Sequence, residues 1–285
     1  AAWSGLAKNH LNQYQQGELD RDKSIDLARE AANRALSIDP DHALAHAYLS
    51  RIELTYDRDL ERAARHLEHA LQLEPANPDI LRRAVYLSYR LGHLDEAIQV
   101  GEYVVARDPV NPESHYYLGV SYLWAGRPNE AISAFRDTLR LSPEHIAARY
   151  RIGVALLLMG KPEQALAEVE REQFEAKRLE GEAITFHALG RQVESDKALT
   201  ALVRKYAHNS AYNIAYVLAF RGEADAAFDW LEKAVQNRDS GLTQIVKQPE
   251  FANLRQDPRW LPFLQRTGVS PQQLNAIEFK VTLPE

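Results

Sequence analysis

Residues 112–143 read PESHYYLGVSYLWAGRPNEAISAFRDTLRLSP, two helical patterns with a break between them. His115, Leu118, Gly119 and Tyr122 share one helical face by their three- and four-residue spacings. Gly126-Arg127-Pro128 interrupts the pattern, glycine being suited to ending one helix and proline to opening the next. Ala131, Phe135 and Leu139 then set an apolar stripe on a second helix. Gly119 and Ala131 are small, so the two helices are expected to meet there, with Phe135 filling the space beside them. Ser142-Pro143-Glu144 ends the unit.

The same marks recur every 34 residues: Ala63, Ala97, Ala131 and Ala165; Pro75, Pro109 and Pro143; Gly92, Gly126 and Gly160. Such a period is the signature of stacked helix pairs, each burying its apolar face on the next. Leu118-Gly119, Tyr122, Ala131, Phe135 and Pro143 resemble the tetratricopeptide family pattern of Leu-Gly, Tyr, Ala, Phe and Pro at fixed offsets. Ile152-Gly153, Leu156, Ala165 and Val169 repeat it, as do Leu54, Ala63, Leu67, Ala70 and Pro75, then Ala84, Ala97, Val104 and Pro109. Ile214-Ala215, Leu218, Gly222, Ala227, Leu231 and Ala234 form a further unit, and Ala183, Phe186, Gly190, Leu199 and Leu202 a looser one. The resemblance implies an all-α, right-handed α-α superhelix of about seven repeats over residues 1–239.

The first unit departs from the pattern. Trp3, Leu6 and Ala7 suit its first helix and Ala28, Ala32, Ala35 and Pro40 its second, but 20 residues separate Ala7 from Ala28 where regular units have fewer. An exposed loop around Gln15 to Lys23, hinged at Gly17, is therefore expected. Residues 240–285 should cap the last repeat. Pro249 to Leu254 and Pro258 to Leu264 read as short helices whose Phe251, Leu254, Trp260, Leu261 and Leu264 would cover its outer face. Phe279-Lys280-Val281-Thr282-Leu283 alternates with period two, as either a packed extended tail or a pairing strand open to self-association.

Composition removes several functions. Among 285 residues there is no cysteine, which rules out disulfides and thiolate chemistry, and the net charge of −6 offers no overall positive field for nucleic acid. The apolar run Val154 to Met159 is far shorter than the ~20 residues of a membrane span. With Met159 the only methionine and no basic leader before Trp3, the chain is expected to be a fragment or processed product, cut just before a folded unit. No phosphate-binding glycine loop, nucleophile elbow or His-Glu-x-x-His helix is present, so neither catalysis nor a cofactor is expected. His42 with His46 and His66 with His69 have spacings that allow a shared metal, but no third ligand is evident beside either pair. Glu168, Glu170 and Glu172 read as a wet helix face.

In the resembled family the first helix of each repeat lines a concave groove that holds a protein or peptide. That implies groove positions for Tyr48, Tyr56, Tyr86, Tyr89, Tyr116, Trp124, Tyr150, Tyr212, Tyr216 and Phe220, joined by Arg82, Arg83, Arg90 and Arg151. Such rings offer large contact areas with a polar handle, although packing between neighbouring helices would account for several of them, and ordinary solvated charge accounts for the arginines equally well. The lysine and asparagine clamp for chaperone tails is missing: its positions carry Tyr48 and Ile52, Arg82 and Tyr86, then Tyr116 and Val120. The ending from Tyr212 to Val235, with Asp239-Ser240-Gly241-Leu242, Pro249-Glu250-Phe251 and Asp257-Pro258-Arg259-Trp260, resembles the close of repeat regions in bacterial winged-helix activators and class III adenylate cyclases. The resemblances imply a cytoplasmic sensory or scaffolding module, or alternatively an adaptor for secretion or envelope assembly, which would be periplasmic.

Overall fold

In the computed structural model, residues 2–15 and 20–284 are described. Their regular structure is helical, and none of them forms a strand. Seven antiparallel helix pairs follow one another: α1 Ala2–Gln15 with α2 Arg21–Ile38, α3 Ala43–Ile52 with α4 Leu60–Leu73, α5 Pro78–Leu91 with α6 Leu94–Arg107, and α7 Pro112–Trp124 with α8 Pro128–Leu141. Then come α9 Ala148–Leu158 with α10 Pro162–Val169, α11 Glu175–Ala188 with α12 Gln192–Tyr206, and α13 Ala211–Phe220 with α14 Ala224–Gln236. Two 3-10 turns, Ser240–Gln244 and Pro249–Leu254, lead to α15 Trp260–Arg266 and α16 Pro271–Asn275.

Local chemistry sets the boundaries. Asn77 and Asn111 cap α5 and α7, their side chains accepting from the backbone N–H of Asp79 and Glu113, and proline opens both helices. Gly92, Gly126 and Gly160 close their helices at φ of 86°, 74° and 68°. In the second unit the equivalent position, 34 residues before Gly92, is Arg58, which takes φ of 58° without glycine's freedom. There α3 widens into a single π-helical turn, Glu53–Asp57, before the chain reverses.

Packing between paired helices depends on backbone approach. A Cβ on Gly119 would lie 2.7 Å from the ring of Phe135, and one on Gly153 would lie 2.6 Å from a Val169 methyl. The two contacts are the same contact one repeat apart. Gly119 therefore meets Phe135 directly, whereas the sequence suggested a crossing at Ala131; both Ala131 and Phe135 are fully buried. One apolar cluster runs from Ala43 to Phe279, and a smaller, alanine-rich one joins α1 and α2 to Tyr48, Leu49 and Ile52.

Other expectations are corrected at the two ends. The extra residues of the first unit lengthen helices, since α1 runs to Gln15 and α2 includes Arg21 to Lys23; Gly17 lies outside the described residues. The C-terminal segment caps the last repeat only in part. Phe263 packs on Phe228 at 6.2 Å between centroids, and Arg259 pairs with Asp225 at 2.8 Å, which docks α15 on α14. The two 3-10 turns instead cross the inner face. Residues 279–283 form no strand: Phe279 is buried, and the Val281 and Lys280 N–H groups donate to the carboxylates of Glu96 (2.8 Å) and Glu68 (3.2 Å).

Gly119→Ala sets a helix-propensity gain of ~1 kcal/mol against overpacking of a buried ring that has nowhere to go. Overpacking should win, lowering stability by about 1–2 kcal/mol, measurable as a lower midpoint in urea unfolding; an unchanged midpoint would mean that α7 and α8 do not interlock here.

Candidate functional site

First helices from three different units converge on the two 3-10 turns. The Arg90 guanidinium of α5 donates to the Ser240 carbonyl at 3.2 Å, and also to the hydroxyls of Thr243 and Tyr86. From α9, the Tyr150 hydroxyl donates to Glu250 at 2.8 Å and Arg151 pairs with the same carboxylate oxygen at 3.2 Å. From α13, the Tyr212 hydroxyl donates to Gln248 at 2.6 Å, and the ring of Phe251 lies 5.4 Å from Tyr212 and 6.3 Å from Tyr216. The chain's own segment thus lies along the inner face of the third to seventh units.

That cover, together with packing between the first helices, corrects the exposure expected for most of the groove residues. Tyr150, Tyr212 and Tyr216 are fully buried, and burial pushes their hydroxyl pKa values well above the usual tyrosine range. Tyr89 is buried against Trp124, with ring centroids 4.9 Å apart, and Tyr48 is buried beneath Arg83, whose guanidinium carbon stands 4.7 Å from its ring. Arg90 and Arg151 are buried with the partners just described. Tyr116 is half-buried among Phe135, His145 and Tyr117, and Phe220 is half-buried at the end of α13. What stays open is a cavity of about 970 Å³ at the N-terminal end of the inner face. Tyr56, Arg82 and Tyr86 line it, together with Arg51, Arg83 and Tyr117; His208, Asn209 and Asn237 close it from the sixth and seventh units.

Comparison with known proteins follows from this architecture. Residues 54–119 match the family model described as tetratricopeptide repeat, and residues 90–172 match that of anaphase-promoting complex, cyclosome, subunit 3. The structure is similar to that of PilW, a widely conserved type IV pilus biogenesis factor, with a TM-score of 0.59 and 17% identity over 72% of this chain and 94% of that one. The fold is a right-handed tetratricopeptide superhelix. PilF of Pseudomonas aeruginosa is similar at a TM-score of 0.55 and 20% identity, covering 72% of this chain and 92% of its own. A thermophilic tetratricopeptide protein of Thermus thermophilus gives 0.53 and 18%, covering 69% and 98%. No curated protein matches the sequence.

Within the superhelix, Arg51 and Tyr117 are site residues that sequence reasoning missed. Arg51 follows Ser50, whose hydroxyl donates to the Ala63 carbonyl of α4 at 2.7 Å, and it lines the cavity. The structure also joins the two histidine pairs that sequence spacing kept apart. Nδ1 of His46 lies 2.9 Å from Nδ1 of His66, His69 stacks edge-on against His46, and Nε2 of His66 is 3.5 Å from Glu53. Among the described residues no three groups are placed to hold a metal ion, and no helix is long and apolar enough to cross a membrane.

Burial raises the Glu53 carboxyl to about 7, and it lowers His66 to about 4, helped by the charges of His46 and Arg62. The linkage signs are opposite. Folded Glu53 holds its proton more tightly than the unfolded chain, so its contribution improves as pH falls from about 7 to 4.5. Folded His66 resists its proton, so its contribution is lost as pH falls from 6.5 to about 4. In Glu53→Gln only the histidine slope remains, and denaturant midpoints should fall over that range by up to about 3 kcal/mol in stability, while the wild type changes less. Glu250→Ala should cost about 3–5 kcal/mol by leaving the buried Arg151 unpaired, and limited proteolysis should then cut within residues 240–254 before any repeat.

Proposed function

We propose that this superhelix is a non-catalytic adaptor that binds an extended segment of a partner protein in the open part of its inner face. The observation that carries the reading is the chain's own segment 240–254, which lies along that face through Gln248, Glu250 and Phe251. A surface that accommodates one polypeptide in this way has the hydroxyls, guanidinium groups and rings to accommodate another. The cavity at Tyr56, Arg82 and Tyr86 is the stretch that the segment leaves free. Of the sequence-predicted groove set, these three residues are the proposed ligand contacts. Tyr48, Tyr89, Tyr116, Trp124, Tyr150, Tyr212, Tyr216, Arg90 and Arg151 support the face from behind or hold the segment.

Between the two placements drawn from the sequence, we favour the adaptor in envelope assembly over the sensory part of a regulator. This reading is carried over from the type IV pilus biogenesis factor of similar fold, and it brings the periplasmic placement with it. Peptides retained from a random library on the intact chain should crosslink to a photoreactive residue at position 56. They should not crosslink to one replacing Arg136, which is exposed on α8. Crosslinking at Arg136 alone would move the ligand surface to the outer face, and a library that yields no retained peptide would remove the peptide-binding reading.

A further inference from the structure

A row of imidazoles runs through the second unit, and its direction is fixed from one end. Nε2 of His46 lies 2.9 Å from the Pro40 carbonyl, which can only accept, so His46 carries its hydrogen on Nε2 and turns the Nδ1 lone pair inward. Nδ1 of His66 lies 2.9 Å from that lone pair, so His66 donates from Nδ1. The remaining lone pair of His66, on Nε2, then faces Oε1 of Glu53 at 3.5 Å. Against an ionised Glu53, two acceptors oppose each other. A proton on the carboxyl makes it a donor and completes the row, from Glu53 to His66, then to His46, then to Pro40.

Glu53 is placed to hold that proton. Its side chain is 1% exposed, and neither carboxyl oxygen accepts a hydrogen bond from any described residue, although Arg62 of α4 stands 2.8 Å from Oε1. Buried polar atoms without a partner are uncommon in folded proteins. Burial outweighs the Arg62 charge and holds the carboxyl at about 7, while Asp57 and Asp59 oppose ionisation from the chain that follows. The other charges around the row are answered nearby: Arg65 pairs with Glu61, Asp57 with Arg29 of α2, and His42 bonds Ser4. His69 stands edge-on to His46, with Nε2 3.7 Å from Asp41. Glu53 opens the π-helical turn Glu53–Asp57, whose Leu54, Thr55 and Tyr56 form part of the cavity wall. The row therefore ties one wall of the cavity to α4 and to the chain before α3. Helical irregularities of that kind concentrate at functional sites.

We propose that Glu53, His66 and His46 form a proton-dependent clasp that holds the π-helical turn, and with it one wall of the cavity, against α4. With the carboxyl protonated the row is continuous and the turn is held. When that proton goes to solvent, His66 carries its hydrogen on Nε2 instead of Nδ1 to meet the carboxylate. The two Nδ1 lone pairs then oppose each other, and the link between α3 and α4 is broken. The held turn binds the proton more tightly than the released one, so it gains as pH falls through about 7 and loses as pH rises through it. The effect on a bound peptide rests on the peptide-binding reading above; the clasp itself does not.

Two measurements on the intact chain, without any ligand, test the clasp. Long-range proton–nitrogen NMR of the wild type, with the His66 signals assigned by their loss in His66→Gln, should show the Nδ1–H tautomer at pH 6 and the Nε2–H tautomer at pH 8. Hydrogen exchange of the amides of residues 54–57, corrected for the intrinsic pH dependence of exchange, should lose about tenfold in protection over the same range, as one proton leaves through a pKa of about 7. Glu53→Gln keeps a neutral donor facing His66, so its Nδ1–H tautomer and its protection should persist at pH 8. The same tautomer of His66 at both pH values in the wild type overturns the clasp, as does a loss of protection that is equally large in Glu53→Gln. Neither result bears on whether peptides are retained, so the peptide-binding reading stands or falls by its own crosslinking test.

Discussion

Where the backbone of Gly119 lies against the ring of Phe135, two helices approach more closely than any side chain would allow. Gly153 and Val169 repeat that approach one unit later. The curvature of a solenoid is the sum of small rotations between neighbours, so contacts of this kind decide where its far end arrives. Here the far end arrives at the near one. The segment after the seventh unit comes back within hydrogen-bonding distance of α5, and the closing residues reach α4 and α6. Had the helices of each pair stood further apart, the superhelix would open and residues 240–284 would have no inner face to cross.

Enclosure changes the character of that face. The rings of Tyr150, Tyr212 and Tyr216 sit in an apolar setting, yet each hydroxyl still finds a carboxylate or an amide oxygen. Buried polar groups hold a structure together only when they are satisfied in this way. Glu250 is the centre of the arrangement, because its carboxylate compensates a buried arginine that no repeat could compensate alone.

The repeats were legible because their signal is local. Gly126 and Pro128 announce a helix break within three residues, and the recurrence of Ala63, Ala97, Ala131 and Ala165 needs only counting. The inner-face positions followed from the period, and Tyr150, Tyr212 and Tyr216 do belong to first helices. Their cover was not legible. The contact of Arg90 with Thr243 joins residues 153 apart and leaves no periodic trace. The pairing of the two histidine sets was hidden for the same reason, since His46 and His66 lie on the two helices of one unit and no helical spacing relates them.

The main-chain donors of Lys280 and Val281 have a kinetic meaning. Stacked repeats touch only their neighbours, so such chains ordinarily assemble from any point and zip outward, with short sequence separations throughout. Here the bonds to Glu68 and Glu96 span 212 and 185 residues. They form only after every intervening unit is in place, which puts the tail last on the folding path. Once formed, they convert an open spring into a latched one: the second and third units no longer fray independently of the seventh, because loosening either end must first undo the latch.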